Sequence, residues 1–199
     1  MKNLFSTQDS VDFWVWVNPN NWLTKHQIKE TGGFTSGGIF GKDKSNLMFI
    51  PNPDFRGELT PFHNGIMRDY VAEYNIELSR MQLFPQYPSR LNALYLFRSE
   101  EEAQKYSIRH KWHVGERILK KCHSITPYTF SLHDLSWVDF LRASPSIDPP
   151  SLDIIGKAYW NGKYVESYKL EIMGEKWICE PIIEVLFIGR VEFYDRSLE

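Results

Sequence analysis

Near its C-terminus the chain runs Pro181-Ile182-Ile183-Glu184-Val185-Leu186-Phe187-Ile188-Gly189 and continues through Arg190-Val191-Glu192-Phe193. Between Pro181 and Gly189 every residue is branched or aromatic except one carboxylate. That composition reads as a β-strand. A strand interior is a costly place for an ionised side chain without a partner. Glu184 therefore either faces water at a sheet edge or points into a cleft where its charge is used. Any fold of this chain has to supply one of those two environments.

The remaining elements follow from pattern and punctuation. Val11 to Val17 is a strand of branched and aromatic residues, and Asn18-Pro19-Asn20-Asn21 breaks it. Trp22 to Glu30 is predicted as a short helix closed by Gly32-Gly33. Thr35 to Pro53 reads as a loop around one apolar run, Leu47 to Ile50, and Gly37-Gly38-x-x-Gly41 is too short to be a phosphate-binding fingerprint. From about Asn64 to Gln82 the residues Ile66, Met67, Tyr70, Val71, Tyr74, Leu78 and Met81 recur at helical spacing, which predicts a core-facing stripe.

Leu91 to Phe97 is a second strand. Ser99 with Glu102 has capping-box spacing and opens a helix to about Trp112. Arg117 to Cys122 is a third strand, and a short helix around Trp137 to Leu141 leads into a proline-rich loop ending at Pro150. Asn161-Gly162, between aromatic residues, predicts a hairpin. Tyr168 to Ile172 and Ile182 to Tyr194 supply the last strands. The expectation is one α+β domain over residues 1–199, with two helices near the middle and strands concentrated in the C-terminal half.

With 199 residues, 42% hydrophobic and 24% charged, the chain is long enough for a real core and has an ordinary globular balance. Thirteen Phe, ten Tyr and seven Trp favour β-structure and flat-walled pockets. A net charge of −2 gives no global attraction to nucleic acid, so such contact requires a local basic patch. Cys122 and Cys179 match no metal-ligand spacing and read as small hydrophobes in a reducing compartment. No N-terminal apolar stretch follows Met1-Lys2, and no run approaches the about 18 apolar residues of a membrane span. The expectation is a cytoplasmic protein without membrane contact.

No phosphate-binding loop, dinucleotide fingerprint or nucleophile elbow is present. His110 and His113 are spaced i, i+3 without a nearby acidic or thiol ligand, so they read as a solvated helix end and no metal is expected. Arg109 to Lys121 is the most basic segment; it is either a solvated face or a nucleic-acid contact with Trp112 for stacking. Ser89-Arg90 stands at a strand mouth, where a hydroxyl and a guanidinium either hold a phosphate or ribose or only cap the strand and pair with an acid.

Taken in this order, these pieces resemble the ADP-ribosyltransferase fold. Glu184-Val185-Leu186 looks like the strand on which mono-ADP-ribosyltransferases carry their catalytic glutamate. Pro85-x-x-Pro88-Ser89-Arg90-Leu91-Asn92-Ala93-Leu94-Tyr95-Leu96-Phe97-x-Ser99-x-Glu101-x-Ala103 is similar to the second core strand and following helix of a bacterial family of unknown function grouped with that fold. The first strand and Asn20-Asn21-Trp22-Leu23 look like the entry strand and helix of DNA-targeting toxins in the same superfamily. The sequence departs from the family in two places. Trp14, Val15 and Trp16 stand where the first strand usually carries Arg or His, and Ile182 stands where transferases for arginine or asparagine carry Glu or Gln.

The resemblance implies a mixed or antiparallel β core split into two small sheets with flanking helices. It implies NAD as co-substrate, Glu184 as the catalytic carboxylate, and Trp14, Trp16, Ser89, Arg90 and Tyr95 at the cofactor. Lys111, Arg117 and Lys120 are the candidate acceptor contacts. The activity implied is that of a toxin or anti-phage effector acting on RNA, DNA or a host protein and held in check by an antitoxin. The alternatives are a nucleotide- or protein-binding module without turnover, and an NAD glycohydrolase.

Overall fold

The computed structural model describes residues 3–39, 61–144 and 147–198. Within them the chain runs β1 (Leu4–Phe5), β2 (Asp12–Val17), α1 (Trp22–Thr31), β3 (Gly33–Thr35), α2 (Pro61–Leu83), β4 (Leu94–Phe97), α3 (Glu100–Arg109) and α4 (Lys111–Val114). It continues through β5 (Ile118–Asp134), α5 (Ser136–Ala143), α6 (Pro149–Trp160), β6 (Leu170–Ile172), β7 (Glu175–Trp177) and β8 (Ile183–Phe193). The architecture is α+β, with every strand pairing antiparallel. The apolar run Leu47 to Ile50 and Gly41 lie outside the described residues, as do the side chains of Ile66 and Met67.

Six strands form one sheet in the order β1-β5-β2-β4-β8-β3, and a further β5–β8 pairing closes β2, β4, β8 and β5 into a circuit. In place of two small sheets, the protein has this self-closing sheet and a separate β6–β7 hairpin. Closure depends on the length of β5, which pairs with β2 over Ile118 to His123 and with β8 from Cys122 to Asp134. The β5–β8 register slips between Ile125 and Thr129 opposite Arg190 and Ile188, a bulge of the kind that bends a strand at a barrel corner. Gly189 sits at that bend, where a Cβ would come 2.6 Å from the Cβ of Tyr128.

Strand alternation divides the side chains between two cores. Phe13, Val15, Val17, Leu96, Phe130, Val185 and Phe187 fill one. On the other face, Phe97 and Leu186 meet α2, α5 and α6 through Ala72, Ile76, Trp137, Val138, Ile155 and Trp160. Glu184 belongs to this second face, two residues from Leu186, opposite Phe97 on β4 and His133 on β5.

Several expectations are corrected. Tyr159-Trp160-Asn161-Gly162 is the end of α6 instead of a hairpin: Asn161 is the C-cap and Gly162 adopts φ 64°. Both aromatics are wanted inside, and a helix end buries them together. The predicted proline-rich loop ends two residues earlier, at Asp148, because Pro149 and Pro150 open that same helix behind the Asp148 cap. The tyrosine and methionine stripe of α2 is not its core face, for Tyr70 and Met81 are exposed while Ala72, Ile76 and Glu77 are buried. Close approach of α6 selects the small residues; a Cβ on Gly156 would meet the Ser79 hydroxyl at 2.1 Å. The helix after Ser99 breaks at His110 into α3 and α4, and with α6 the described residues hold six α-helices where four were expected. None is long and apolar enough to cross a membrane.

Candidate functional site

Beside Glu184 lies a cavity of about 1110 Å³, just above the usual range for small-molecule sites. Its wall is built by β2, β4, β8, α2, α5 and the α3–α4 corner. Of the residues singled out in the sequence, Glu184, Arg90, Tyr95, Trp16 and Arg117 all line it. They come from positions up to 168 residues apart, Trp16 to Glu184.

Arg90 is the centre of the inner wall. Its Nη1 donates to Glu184 Oε1 in a short ion pair and lies 2.8 Å from the Tyr159 hydroxyl, which itself donates to Glu184 Oε1 at 2.8 Å. Its Nε and Nη2 form a fork on Glu73, at 2.8 and 3.1 Å. The Tyr95 hydroxyl donates to the Arg90 carbonyl at 2.5 Å, and both tyrosine rings lie within 6 Å of the guanidinium. Arg90 is 3% exposed and Glu184 2%. Burial alone would leave both charges untenable; the shared contacts satisfy them.

Electrostatics separate the two carboxylates that share Arg90. Burial pushes Glu184 above the usual carboxylate range, and Arg90 with the Tyr159 hydrogen bond only partly opposes it. Burial acts on Glu73 too, but attraction and hydrogen bonds from Arg90, with the charge of Arg142, outweigh it and hold Glu73 low. Burial disfavours the guanidinium of Arg90, yet Glu184 and Glu73 hold it firmly charged.

From Glu73 the charges alternate outward. Arg142 Nη2 lies 3.1 Å from Glu73 and its Nε 3.1 Å from Asp69; Asp139 follows, 3.2 Å from Arg109. His110 Nε2 is 3.2 Å from Asp139 Oδ2, though not aligned as a hydrogen bond. Tyr106 stacks over His110 at 4.5 Å and contacts His113 Nδ1. Burial, then Arg117 and His110, favours the neutral form of His113. The two histidines are thus part of the cavity wall instead of a solvated helix end.

Other expected site residues lie elsewhere. Trp14 is partly buried against the helical core and is absent from the cavity wall; its neighbour Trp16 reaches it and anchors its indole N–H on the Ala103 carbonyl at 3.0 Å. Ser89 is buried, with its hydroxyl accepting from the Leu91 amide at 3.2 Å, and does not line the cavity. Of the three candidate acceptor contacts, Lys111 is exposed away from the wall, while Lys120 is buried with its amine 2.8 Å from Asp195. The basic segment is therefore no single patch, since Lys121 pairs with Asp12 at 2.6 Å and Arg109 with Asp139.

The sequence reading missed Glu73, Tyr159, Arg142 and Asp139. Glu73 falls just off the apolar stripe of α2, and Tyr159 was assigned to a hairpin. One available signal was the pair Glu73 and Glu77, flanking Ala72 and Ile76 on the face that small residues mark for close packing. No protein-family model matches this chain, and no curated protein matches its sequence.

Proposed function

We propose that the protein is an NAD-dependent ADP-ribosyltransferase that uses Glu184 in the cavity it lines. What carries the reading is convergence: Trp16, Arg90, Tyr95 and Glu184, chosen from separate stretches, meet on one cavity wall. Its aromatic and guanidinium lining suits a ligand with flat bases and a pyrophosphate. The α+β architecture and the glutamate on an interior strand support the reading, and the single self-closing sheet departs from the two small sheets it implies.

In this reaction the bond from the ribose anomeric carbon to nicotinamide breaks, and nicotinamide leaves with the electron pair. The sugar becomes oxocarbenium-like. A carboxylate at its 2′-hydroxyl strengthens its hold as positive charge develops, which stabilises the transition state selectively. Arg90 keeps Glu184 oriented, and Tyr159 fixes the same oxygen, Oε1, leaving Oε2 for substrate. The acceptor is RNA, DNA or a protein; of the three candidate contacts, Lys111 is the exposed one. The biological setting that fits is a toxin or anti-phage effector with a neutralising partner.

The experiment is nicotinamide release from NAD, measured alone and with RNA, DNA and protein acceptors. Release that requires an acceptor supports transfer, and release without one indicates an NAD glycohydrolase. One observation favours a second reading, a nucleotide-binding module without turnover: Glu184 is almost wholly buried and already committed to Arg90 and Tyr159. NAD binding without nicotinamide release under any condition would establish it.

A further inference from the structure

Four arginines line the cavity, and three are neutralised. Arg90 holds Glu73 and Glu184, Arg142 holds Asp69 and Glu73, and Arg109 holds Asp139. Arg117 differs: among the described residues the one hydrogen bond of its side chain goes to the carbonyl of Val114, at 3.2 Å, and it has no carboxylate partner. A half-buried guanidinium on a cavity wall, without a counter-charge among the described residues, is suited to hold an anion.

Its setting is rigid. Arg117 sits three residues beyond α4, in a corner fixed by the amide of Gly115 on the Lys111 carbonyl at 2.9 Å and that of Arg117 on Val114 at 3.0 Å. Gly115 has φ 53° and ψ −123°, a conformation that side chains resist. The same corner presents Trp112, which is 81% exposed although it lines the cavity. Its indole lies 5.8 Å from the His113 ring, and Trp112 and Arg117 line the same cavity.

We propose that this corner is a subsite for a nucleoside diphosphate, with Arg117 on the diphosphate and Trp112 stacked on the base. The assignment rests on the dinucleotide reading above and gives its non-reacting half a place. A single guanidinium suits a diphosphate better than a nucleic-acid backbone, whose affinity accumulates over many phosphate contacts. Of the segment's other cations, Arg109, Lys120 and Lys121 are engaged with Asp139, Asp195 and Asp12, and exposed Lys111 lies off the cavity wall.

Calorimetric titration of the whole chain with ADP, adenosine and a single-stranded oligonucleotide tests this. Arg117→Gln is expected to weaken ADP roughly 10- to 100-fold, the range for a lost charge-assisted hydrogen bond, and to leave adenosine unchanged. Trp112→Ala should weaken both ADP and adenosine, by roughly 5- to 100-fold for a lost stacking contact. Trp112 is exposed, so folding is not at risk, and near-wild-type melting of both variants confirms it. Absence of ADP binding to the wild type, or equal ADP affinity in Arg117→Gln, overturns the subsite. So does a loss confined to the oligonucleotide, which would assign Arg117 to a nucleic-acid partner. ADP binding without any nicotinamide release would retire the transferase reading and keep this one. NAD cleavage with an Arg117→Gln KM equal to wild type would do the reverse.

Discussion

Glu184 and Arg90 form a buried ion pair in which the arginine is shared with a second carboxylate, Glu73. The pair joins the last strand to the entry of β4, 94 residues earlier in sequence. Removing either partner strands the other's charge in a low-dielectric wall, whereas an isosteric change at Glu184 removes charge and little else.

Glu184→Gln is expected to keep the fold and to reduce nicotinamide release by on the order of 10²–10³, the usual cost of losing one electrostatic group aimed at a transition state. Glu184→Ala should in addition lower stability by about 3–5 kcal/mol, because Arg90 and Tyr159 lose their acceptor. Parallel turnover and urea denaturation measurements separate the two effects. Near-wild-type release in the Gln variant would remove Glu184 from the reaction.

Glu73 tunes its neighbour. Its negative charge raises the affinity of Glu184 for a proton, so the acid limb of kcat/KM, where Glu184 protonates, should move to lower pH in Glu73→Gln. The sign follows from linkage: a carboxylate whose value is raised loses its ionised form earlier as pH falls, and easing the cause restores it. A pH–rate profile that stays fixed would show that the limb belongs to another group.

His133 predicts a stability titration. It is fully buried, with Nδ1 2.9 Å from the Tyr159 carbonyl and Nε2 2.8 Å from the Ser131 hydroxyl. Burial, reinforced by the charge of Arg90, depresses its pKa from 6.5 to about 3. The unfolded chain therefore binds a proton that the native state refuses, and stability falls as pH drops from about 6.5 towards 3, by roughly 1.4 kcal/mol per unit. Denaturation across that window should show this slope, and His133→Gln should flatten it by about one proton.

Gly33→Ala should be strongly destabilising, by more than the about 1–3 kcal/mol of ordinary overpacking. A Cβ there would lie 1.8 Å from the backbone oxygen of Val191, which no side-chain rotation relieves. A urea midpoint equal to wild type would mean that β3 does not sit against β8 as described.

Local chemistry made the strands and caps readable. Glu184's strand, the Ser99 cap and the Gly32 helix end follow from branching, hydroxyl placement and φ freedom within a few residues. Half of the site was readable for the same reason, since an ionisable residue in apolar surroundings is conspicuous wherever it stands. Glu73, Arg142 and Asp139 were not, because charges on amphipathic helices look solvated until the partner helices are placed. The basic segment misled in the opposite direction: contiguity in sequence did not survive a corner at Gly115 that sends its cations three ways.

The circuit of β2, β4, β8 and β5 bears on solubility at high concentration. Unpaired strand margins recruit other chains, and proteins usually blunt them with charge, proline or short length. In this sheet the strands with a single neighbour are β1 and β3, of two and three residues. The long, apolar β8 is flanked by β4, β5 and β3 and has little margin to offer a second molecule. This long apolar strand is thus withheld from other molecules by the same closure that holds Glu184 in place.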